Sequence, residues 1–187
     1  IDRLQQDTPA IRARALTYLT RAAKADPAGL EQPILDLLVG GDDEVRHNAV
    51  QLLLSMLPLD RLRLRVLELT RGLLGWMRAR ILRTLKGFSS TLLPTIAQLL
   101  AHPDDEVRTQ ALILAESLGD ARLVIPVARL LKDNDWWLRI MAADCLGQFK
   151  DPLAVEPLLS ALDDPDTKWA ALEALTRIGT SAAVGAV

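Results

Sequence analysis

The chain repeats itself with a period of about 31 residues, and this repeat constrains the fold more than any other feature. The segment "GGDDEVRHNAVQLLLSML" aligns with "AHPDDEVRTQALILAESLG", so that Arg46 falls on Arg108. A shift of the sequence by half the distance between these two arginines aligns "GDARLVIPVARLLKDNDWWLRIMAADCLGQF" with "KDPLAVEPLLSALDDPDTKWAALEALTRIG". One basic residue, called the marker below, recurs at steps of 34, 32, 30, 31 and 29. The markers of the six repeats are Arg12, Arg46, Arg78, Arg108, Arg139 and Lys168.

The second half of each repeat is predicted to be an amphipathic helix. In the fourth repeat the apolar residues Val107, Ala111, Ala115 and Leu118 follow one another at spacings of four, four and three, which places them on one helix face. An oxygen-bearing residue that can cap the helix lies four positions before five of the six markers. These residues are Thr8, Asp42, Asp104, Asp135 and Asp164. An alanine three positions after five of the markers would let neighbouring helices approach closely: Ala15, Ala49, Ala111, Ala142 and Ala171, with Ile81 in the third repeat.

The first half of each repeat carries a second short apolar segment, such as "LLPTIAQLL" or "LVIPVARLL", with Gly, Asp or Pro near its ends. Each repeat is therefore predicted to form a helical hairpin. One hairpin cannot bury its apolar face alone, so consecutive hairpins must stack into a solenoid with a continuous core. We expect an all-α solenoid of about six hairpins that spans residues 1–187 as a single array.

The combined pattern of "D-x-x-V-R-x-x-A-x-x-x-L" and "D-P-x-A-V-x-P-L-L" is similar to HEAT repeats, particularly to the phycobilin-lyase HEAT-like subclass. The resemblance covers essentially the whole chain and is closest over residues 104–179, while the first repeat and "GWMRARILRTLKGF" are more divergent. It implies an armadillo-type, right-handed α-α superhelix that is used mostly as a protein-binding scaffold. It implies no particular chemistry, because the same repeats occur in adaptors, lyases, hydroxylases and DNA-repair proteins.

Composition excludes several classes of protein. The 22 basic and 24 acidic residues nearly cancel, so no overall field favours nucleic acid or an anionic membrane. No apolar run approaches the roughly 18 to 20 residues that cross a bilayer, and the single cysteine excludes an internal disulfide. We expect a cytoplasmic protein with no membrane insertion. Because "IDRLQQ" and "SAAVGAV" read as pieces of further repeats, we also expect an array cut at both ends, with fused domains in a longer chain.

No constellation predicts catalysis, a metal or a cofactor. His47 in "VRHNAV" resembles the "R-H-E" element that binds iron in deoxyhypusine hydroxylases, but Asn48 stands where a carboxylate is required. The chain has only two histidines, too few for a di-iron site, and His102 is expected in a turn. Cys145, in the middle of a second helix, is predicted to be a small core residue.

The six markers have two interpretations. In register, they would form a ladder along the array, which could act as a track for anions. Each marker is flanked by acidic residues, and in HEAT-like arrays such arginines bridge to aspartates of the neighbouring repeat. Bidentate pairing of arginine with carboxylate suits such a tie, so we interpret the ladder as structural.

The tryptophans and one basic segment are the residues that the repeat does not explain. Trp76 and Trp137 lie two positions before their markers, where other repeats have Glu44 and Glu106. Such rings are typical of interfaces, but at a helix start they can also cover the neighbouring turn. Residues 60–86 hold eight basic and two acidic residues, whereas residues 133–187 hold four basic and nine acidic ones. Trp169, which precedes the core-type Ala171, is expected to pack partly inside.

From these features we predict a protein-binding surface along the edge formed by the starts of the second helices. Its apolar anchors are Trp76, Trp136 and Trp137, and its anion-favouring residues are Arg78, Arg80 and Arg83. The expected partner is another protein or a peptide, with acidic character. Two alternatives stay open: a phycobilin-lyase-like role in handling pigments, and a nucleic-acid-binding module. The near-neutral total charge argues against the second alternative.

Overall fold

The computed structural model describes residues 9–40, 42–56 and 75–179, and every regular element in these ranges is a helix. The α-helices are α1 Pro9–Ala25, α2 Pro27–Gly40, α3 Asp43–Met56, α4 Gly75–Lys86, α5 Ser89–Leu99, α6 Asp105–Leu118, α7 Val124–Arg129, α8 Trp136–Phe149, α9 Val155–Ala161 and α10 Lys168–Ile178. The predicted all-α fold is confirmed. None of the described helices combines the length and apolar character needed to cross a membrane.

The chain divides into two compact units, residues 1–88 (unit 1) and residues 89–187 (unit 2). Unit 1 contains α1 to α4, and unit 2 contains α5 to α10. In unit 1, α2 and α3 form a hairpin, α1 packs on both, and α4 packs on α3. The predicted first helix of the third repeat falls in residues 57–74, outside the described residues.

Residues 89–179 of unit 2 form three stacked hairpins, α5–α6, α7–α8 and α9–α10. Their second helices pack in order, α6 on α8 and α8 on α10. The alanines three positions after the markers of this unit, Ala111, Ala142 and Ala171, are completely buried. This burial is consistent with close packing at these positions, and the stacking of the hairpins is that of an α-solenoid.

Helices α8 and α10 approach each other closely at Gly147. Gly147 lies in the middle of α8, and a Cβ atom placed on it would lie 2.8 Å from the Cα of Ala174. Real Cβ atoms do not approach a backbone this closely, so any larger residue at 147 would force the two helices apart. This tight point depends on a glycine that the sequence pattern did not single out.

The first helices of unit 2 begin in the same way in successive repeats. A single 3-10 turn precedes α7 and another precedes α9. The carboxylate of Asp120 accepts a hydrogen bond from the amide of Arg122 at 3.0 Å, and that of Asp151 accepts one from Leu153 at 2.8 Å. A proline follows as the third residue of α7 and of α9, where its missing N–H leaves no helical bond unmade. The sequence alignment of the repeats is thus an alignment of equivalent structures.

Three of the predicted caps begin second helices as expected. The carboxylate of Asp42 accepts from the amide of Val45 at 2.8 Å, that of Asp104 from Glu106 at 2.9 Å, and that of Asp135 from Trp137 at 2.9 Å. Thr8 lies outside the described residues.

The fourth described cap, Asp164, was wrongly predicted to begin α10 directly. Helix α10 begins at Lys168, after Thr167. The carboxylate of Asp164 accepts instead from the amide of Asp166 at 3.1 Å and from the hydroxyl of Thr167 at 2.6 Å. A turn therefore separates the predicted cap from the helix, because the carboxylate is engaged within residues 164–167.

Candidate functional site

The marker arginines position the second helices, and Arg108 shows how. Its Nε lies 2.8 Å from one carboxylate oxygen of Asp133, and its Nη2 donates to the other at 3.0 Å. Its Nη1 donates to the backbone carbonyls of His102 at 2.8 Å and Pro103 at 2.9 Å. Both charged side chains are largely buried, with 14% and 10% of their surface exposed. One guanidinium thus joins the loop before its own helix to the next repeat.

The same arrangement recurs at Arg139 in the following repeat. Its Nε lies 2.7 Å from Asp164 and its Nη2 lies 3.0 Å from Asp166, while its Nη1 donates to the carbonyls of Asp133 and Asn134. In unit 1, Arg12 pairs with Glu44 and, at 3.2 Å, with Asp42 at the start of α3. These markers therefore form ion pairs with the next repeat, as the structural interpretation of the ladder predicts.

The surroundings of the other markers are described only in part, and residues 57–74, which follow the helix of Arg46, lie outside the described ranges. Arg46 is only 1% exposed, and its guanidinium pairs with Asp43 in its own helix. Lys168 is exposed, and no ion pair of its side chain occurs within the described residues. Residues 180–187, which would begin the next repeat, are outside the described ranges, as is the side chain of Arg78.

Trp136 and Trp137 occupy the first turn of α8 and face solvent. They are 54% and 51% exposed, and their rings meet edge to face with centroids 5.7 Å apart and planes at 70°. The next residue, Leu138, is completely buried. The ring pair therefore stands on the surface, where each ring partly covers the other.

Trp76, Arg80 and Arg83 lie on α4 in unit 1. Trp76 is 60% exposed, Arg83 is exposed and Arg80 is half-buried. The pKa of Asp43 on the neighbouring α3 is lowered, mainly by the hydrogen bond and the charge of Arg46 and further by the charges of Arg80 and Arg83. Arg80 lies in the middle of α4 and Arg83 in its last turn, so neither is at the helix start where the binding edge was predicted. The two arginines add positive charge between the middle of α4 and α3.

The structure corrects the expectation for Trp169. This ring was predicted to pack partly inside, but it is 78% exposed, the most exposed of the tryptophans. Ala171 enters the core instead and is completely buried. His47, which follows the marker in the second repeat, is polar and exposed, and it is the sequence signal that this position faces outward.

Acidic side chains lie further along the second helices of unit 2. Glu116 and Glu173 are exposed, and Asp144 is half-buried. Two of these acids make hydrogen bonds between adjacent second helices: Gln148 donates to Glu116 at 3.2 Å, and Arg177 donates to Asp144 at 3.3 Å. In this unit, apolar rings and carboxylates share the exposed surface of the second helices.

The described residues bring together no nucleophilic or metal-binding cluster. No group of three His, Cys, Asp or Glu side chains among them could hold a metal ion. Cys145 is buried as predicted, and its burial strongly raises the pKa of the thiol. His47 stacks on the ring of Phe88 with centroids 4.5 Å apart, and Nδ1 of His102 accepts from the amide of Asp104 at 3.1 Å. Both imidazoles therefore have local structural contacts.

Comparisons with known proteins agree with this architecture over part of the chain. Residues 125–186 match the family of HEAT repeats, a range that includes α8, α9 and α10. No curated protein matches the chain in sequence.

Among solved structures, an engineered protein is 18% identical, with 95% of this chain and 94% of that chain covered and a TM-score of 0.43. A second engineered protein is also 18% identical, with a TM-score of 0.40 and coverage of 95% and 96%. A designed armadillo repeat protein is 14% identical, with a TM-score of 0.38 and coverage of 95% and 98%.

Proposed function

We propose that this chain is a non-catalytic scaffold for protein interactions and that its binding surface is the edge formed by the starts of the second helices. The observation that carries the proposal is the exposed pair Trp136 and Trp137 in the first turn of α8. The HEAT-repeat match includes this turn, and repeat scaffolds of this kind commonly bind proteins. The phycobilin-lyase type of repeat is supported only by the sequence pattern of residues 104–179.

The residues around the two rings support their assignment to a binding surface. Asp135 caps the helix, Leu138 enters the core and Arg139 joins the neighbouring repeat, so the structural requirements of the turn are met by other residues. Covering the exposed half of each ring would remove roughly 100 Å² of apolar surface from water and favour a complex by roughly 2.5 kcal/mol per ring. Such amphipathic rings are the residue type that anchors protein interfaces.

In unit 1 the proposed surface has a different chemistry. Trp76 supplies one apolar anchor, and Arg78, Arg80 and Arg83 supply positive charge in the same helix. An acidic segment of a partner would be attracted there, because arginine side chains pair bidentately with carboxylates. The two surfaces are proposed separately, one for each unit. A reducing compartment suits the single buried cysteine, and we place the protein in the cytoplasm.

Capture of partners by the purified, tagged chain tests the proposal. The Trp136→Ala/Trp137→Ala double variant is expected to keep its helical circular dichroism and to lose most of the proteins that the parent chain captures from a lysate of the source cells. Captured proteins are identified by mass spectrometry and then titrated individually. For unit 1, an Arg80→Glu/Arg83→Glu variant is expected to lose acidic partners.

The matched control is Ile125→Ala/Leu153→Ala, which removes two exposed apolar side chains of unit 2 away from the second helices. It should capture the same proteins as the parent. Equal capture by the parent and the tryptophan double variant would remove Trp136 and Trp137 from the binding surface.

A further inference from the structure

Unit 2 contains a pocket of about 460 Å³ that the tryptophan surface does not include. It lies between the loop that joins α5 to α6 and the end of α7 with the loop that follows it. The first wall includes Leu100, Ala101 and His102, and the second includes Arg129, Leu130 and Lys132. A volume of this size lies within the range of sites that bind small molecules.

The charges at the pocket are unbalanced. Arg108 and Asp133, which also line it, neutralise each other at distances of 2.8 and 3.0 Å. Asp133 accepts an additional hydrogen bond from the amide of Asp135 at 3.0 Å, so its carboxylate is satisfied. Arg129 and Lys132 are exposed, and within the described part of the chain neither side chain has a hydrogen bond or an ion pair. Two positive charges are therefore available to attract an anion in the pocket.

The rest of the lining combines apolar and polar groups. Leu100 and Leu130 line the pocket and are themselves buried, and Pro103 and Pro126 contribute ring surface. The amide of Asn134 and the imidazole of His102 are its polar groups. The imidazole Nδ1 accepts from the amide of Asp104, which leaves the proton on Nε2, available to donate to an anion. A lining that combines leucine and proline side chains with two cations is suited to a molecule with an apolar body and an anionic end.

The repeat does not require the two cations. The equivalent residues of the preceding repeat are Gln98 and Ala101, and those of the following repeat are Ser160 and Asp163. The tie from the marker arginine nevertheless forms in the same way with Asp133 and with Asp164. The basic pair is also placed on an acidic unit, since residues 89–187 contain 8 basic and 14 acidic residues. General solubility therefore does not account for it.

We propose that this pocket binds a small organic anion, a carboxylate or a phosphate ester, whose apolar body lies against Leu100 and Leu130 and whose charge lies between Arg129 and Lys132. The proposal goes beyond the scaffold function and does not depend on Trp136 or Trp137. At 0.15 M salt, exposed charges more than about 8 Å away are screened. Only charges close to the pocket should therefore contribute to binding.

Amide chemical shifts of the ¹⁵N-labelled chain at 0.15 M salt measure binding by phenyl phosphate, phenylacetate, inorganic phosphate and benzylamine. Phenyl phosphate or phenylacetate should shift amides of residues 97–103 and 126–134, and comparison of the two tells which anion is preferred. Inorganic phosphate should bind at least tenfold more weakly, because it lacks the apolar body. Benzylamine, with the opposite charge, should cause no shift in these residues.

Three variants locate the site. Arg129→Gln/Lys132→Gln should weaken binding at least tenfold, whereas Arg122→Gln/Lys150→Gln, which removes the same charge at exposed positions outside the pocket, should change it less than twofold. Ala101→Trp should fill the pocket from an exposed position and block binding without altering the core. Equal weakening by both charge variants, unaltered binding by Ala101→Trp, or no shift with any anion would overturn the proposal. The Trp136→Ala/Trp137→Ala variant should bind the anion normally, so failure here is distinct from failure of the proposed scaffold surface.

Discussion

Helices α6 and α8 occupy the same position in successive repeats and are built on the same framework. Each begins at an aspartate that accepts the amide two residues later, at 2.9 Å in both cases. Each carries a marker arginine that holds two loop carbonyls and an aspartate of the next repeat. Each ends in the left-handed conformation, with φ of 61° at Gly119 and 53° at Lys150.

The two helices differ in the residues between the cap and the core. Helix α6 has Asp105 and Glu106 there, and their negative charges interact favourably with the positive end of the helix dipole. Gln110 also donates a hydrogen bond to Glu106 at 3.1 Å. Helix α8 has Trp136 and Trp137 at the same two positions. The framework is therefore constant while these two positions are free to vary, which is the property expected of a surface used for recognition.

The largest expected effect tests whether the framework is shared. Arg108→Ala should lower the free energy of unfolding by about 3 kcal/mol, because it leaves the buried carboxylate of Asp133 unpaired. Arg139→Ala should cost about 2 kcal/mol, since its partners are more exposed. Urea unfolding monitored by helical circular dichroism measures both.

The control for these two variants is Arg122→Ala. Its guanidinium is 61% exposed and pairs with Asp120 at 2.8 Å. The change should shift the urea midpoint far less than Arg108→Ala does. A loss at Arg108 no greater than that at Arg122 would mean that the marker pairs do not hold the repeats together.

A second difference between the helices lies eight residues after the marker, where α6 has Glu116 and α8 has Gly147. Gly147→Ala should destabilise unit 2 by about 1–3 kcal/mol, because the new Cβ would meet the backbone of Ala174. Helix propensity alone predicts the opposite sign, a gain of up to about 1 kcal/mol. The sign of the change in the urea midpoint decides between the steric and the propensity effect. Glu116→Ala is the exposed control, and its free energy of unfolding should stay within about 0.5 kcal/mol of the parent.

The smallest change in stability is expected for a variant in which α8 has the same first-turn residues as α6. In a Trp136→Asp/Trp137→Glu variant, two favourable interactions with the helix dipole offset the lost ring contact, so stability should stay within about 0.5 kcal/mol of the parent. Partner capture should be lost at the same time. A loss of stability well beyond this range, above about 1.5 kcal/mol, would show that the rings belong to the framework rather than to a recognition surface.

Much of the framework follows from the sequence because it depends on local patterns. The periodic alanines Ala111, Ala142 and Ala171 and the caps Asp104 and Asp135 were predictable, since helix periodicity and amide capping act within a few residues. The start of α10 was not, because the carboxylate of Asp164 is shared among Arg139, Thr167 and a local turn. Which contact such a side chain makes depends on neighbours that the local pattern does not contain.

The sequence by itself determined the repeat, its helical hairpins and the residues that exceed its requirements, Trp136 and Trp137 among them. Only the tertiary structure decided that these rings and Trp169 face solvent and that Arg129 and Lys132 stand at a pocket without a described partner. The physical reason is range. Periodicity and capping act within one turn of helix, whereas exposure, ion pairing and pocket lining depend on the side chains that a neighbouring repeat brings close.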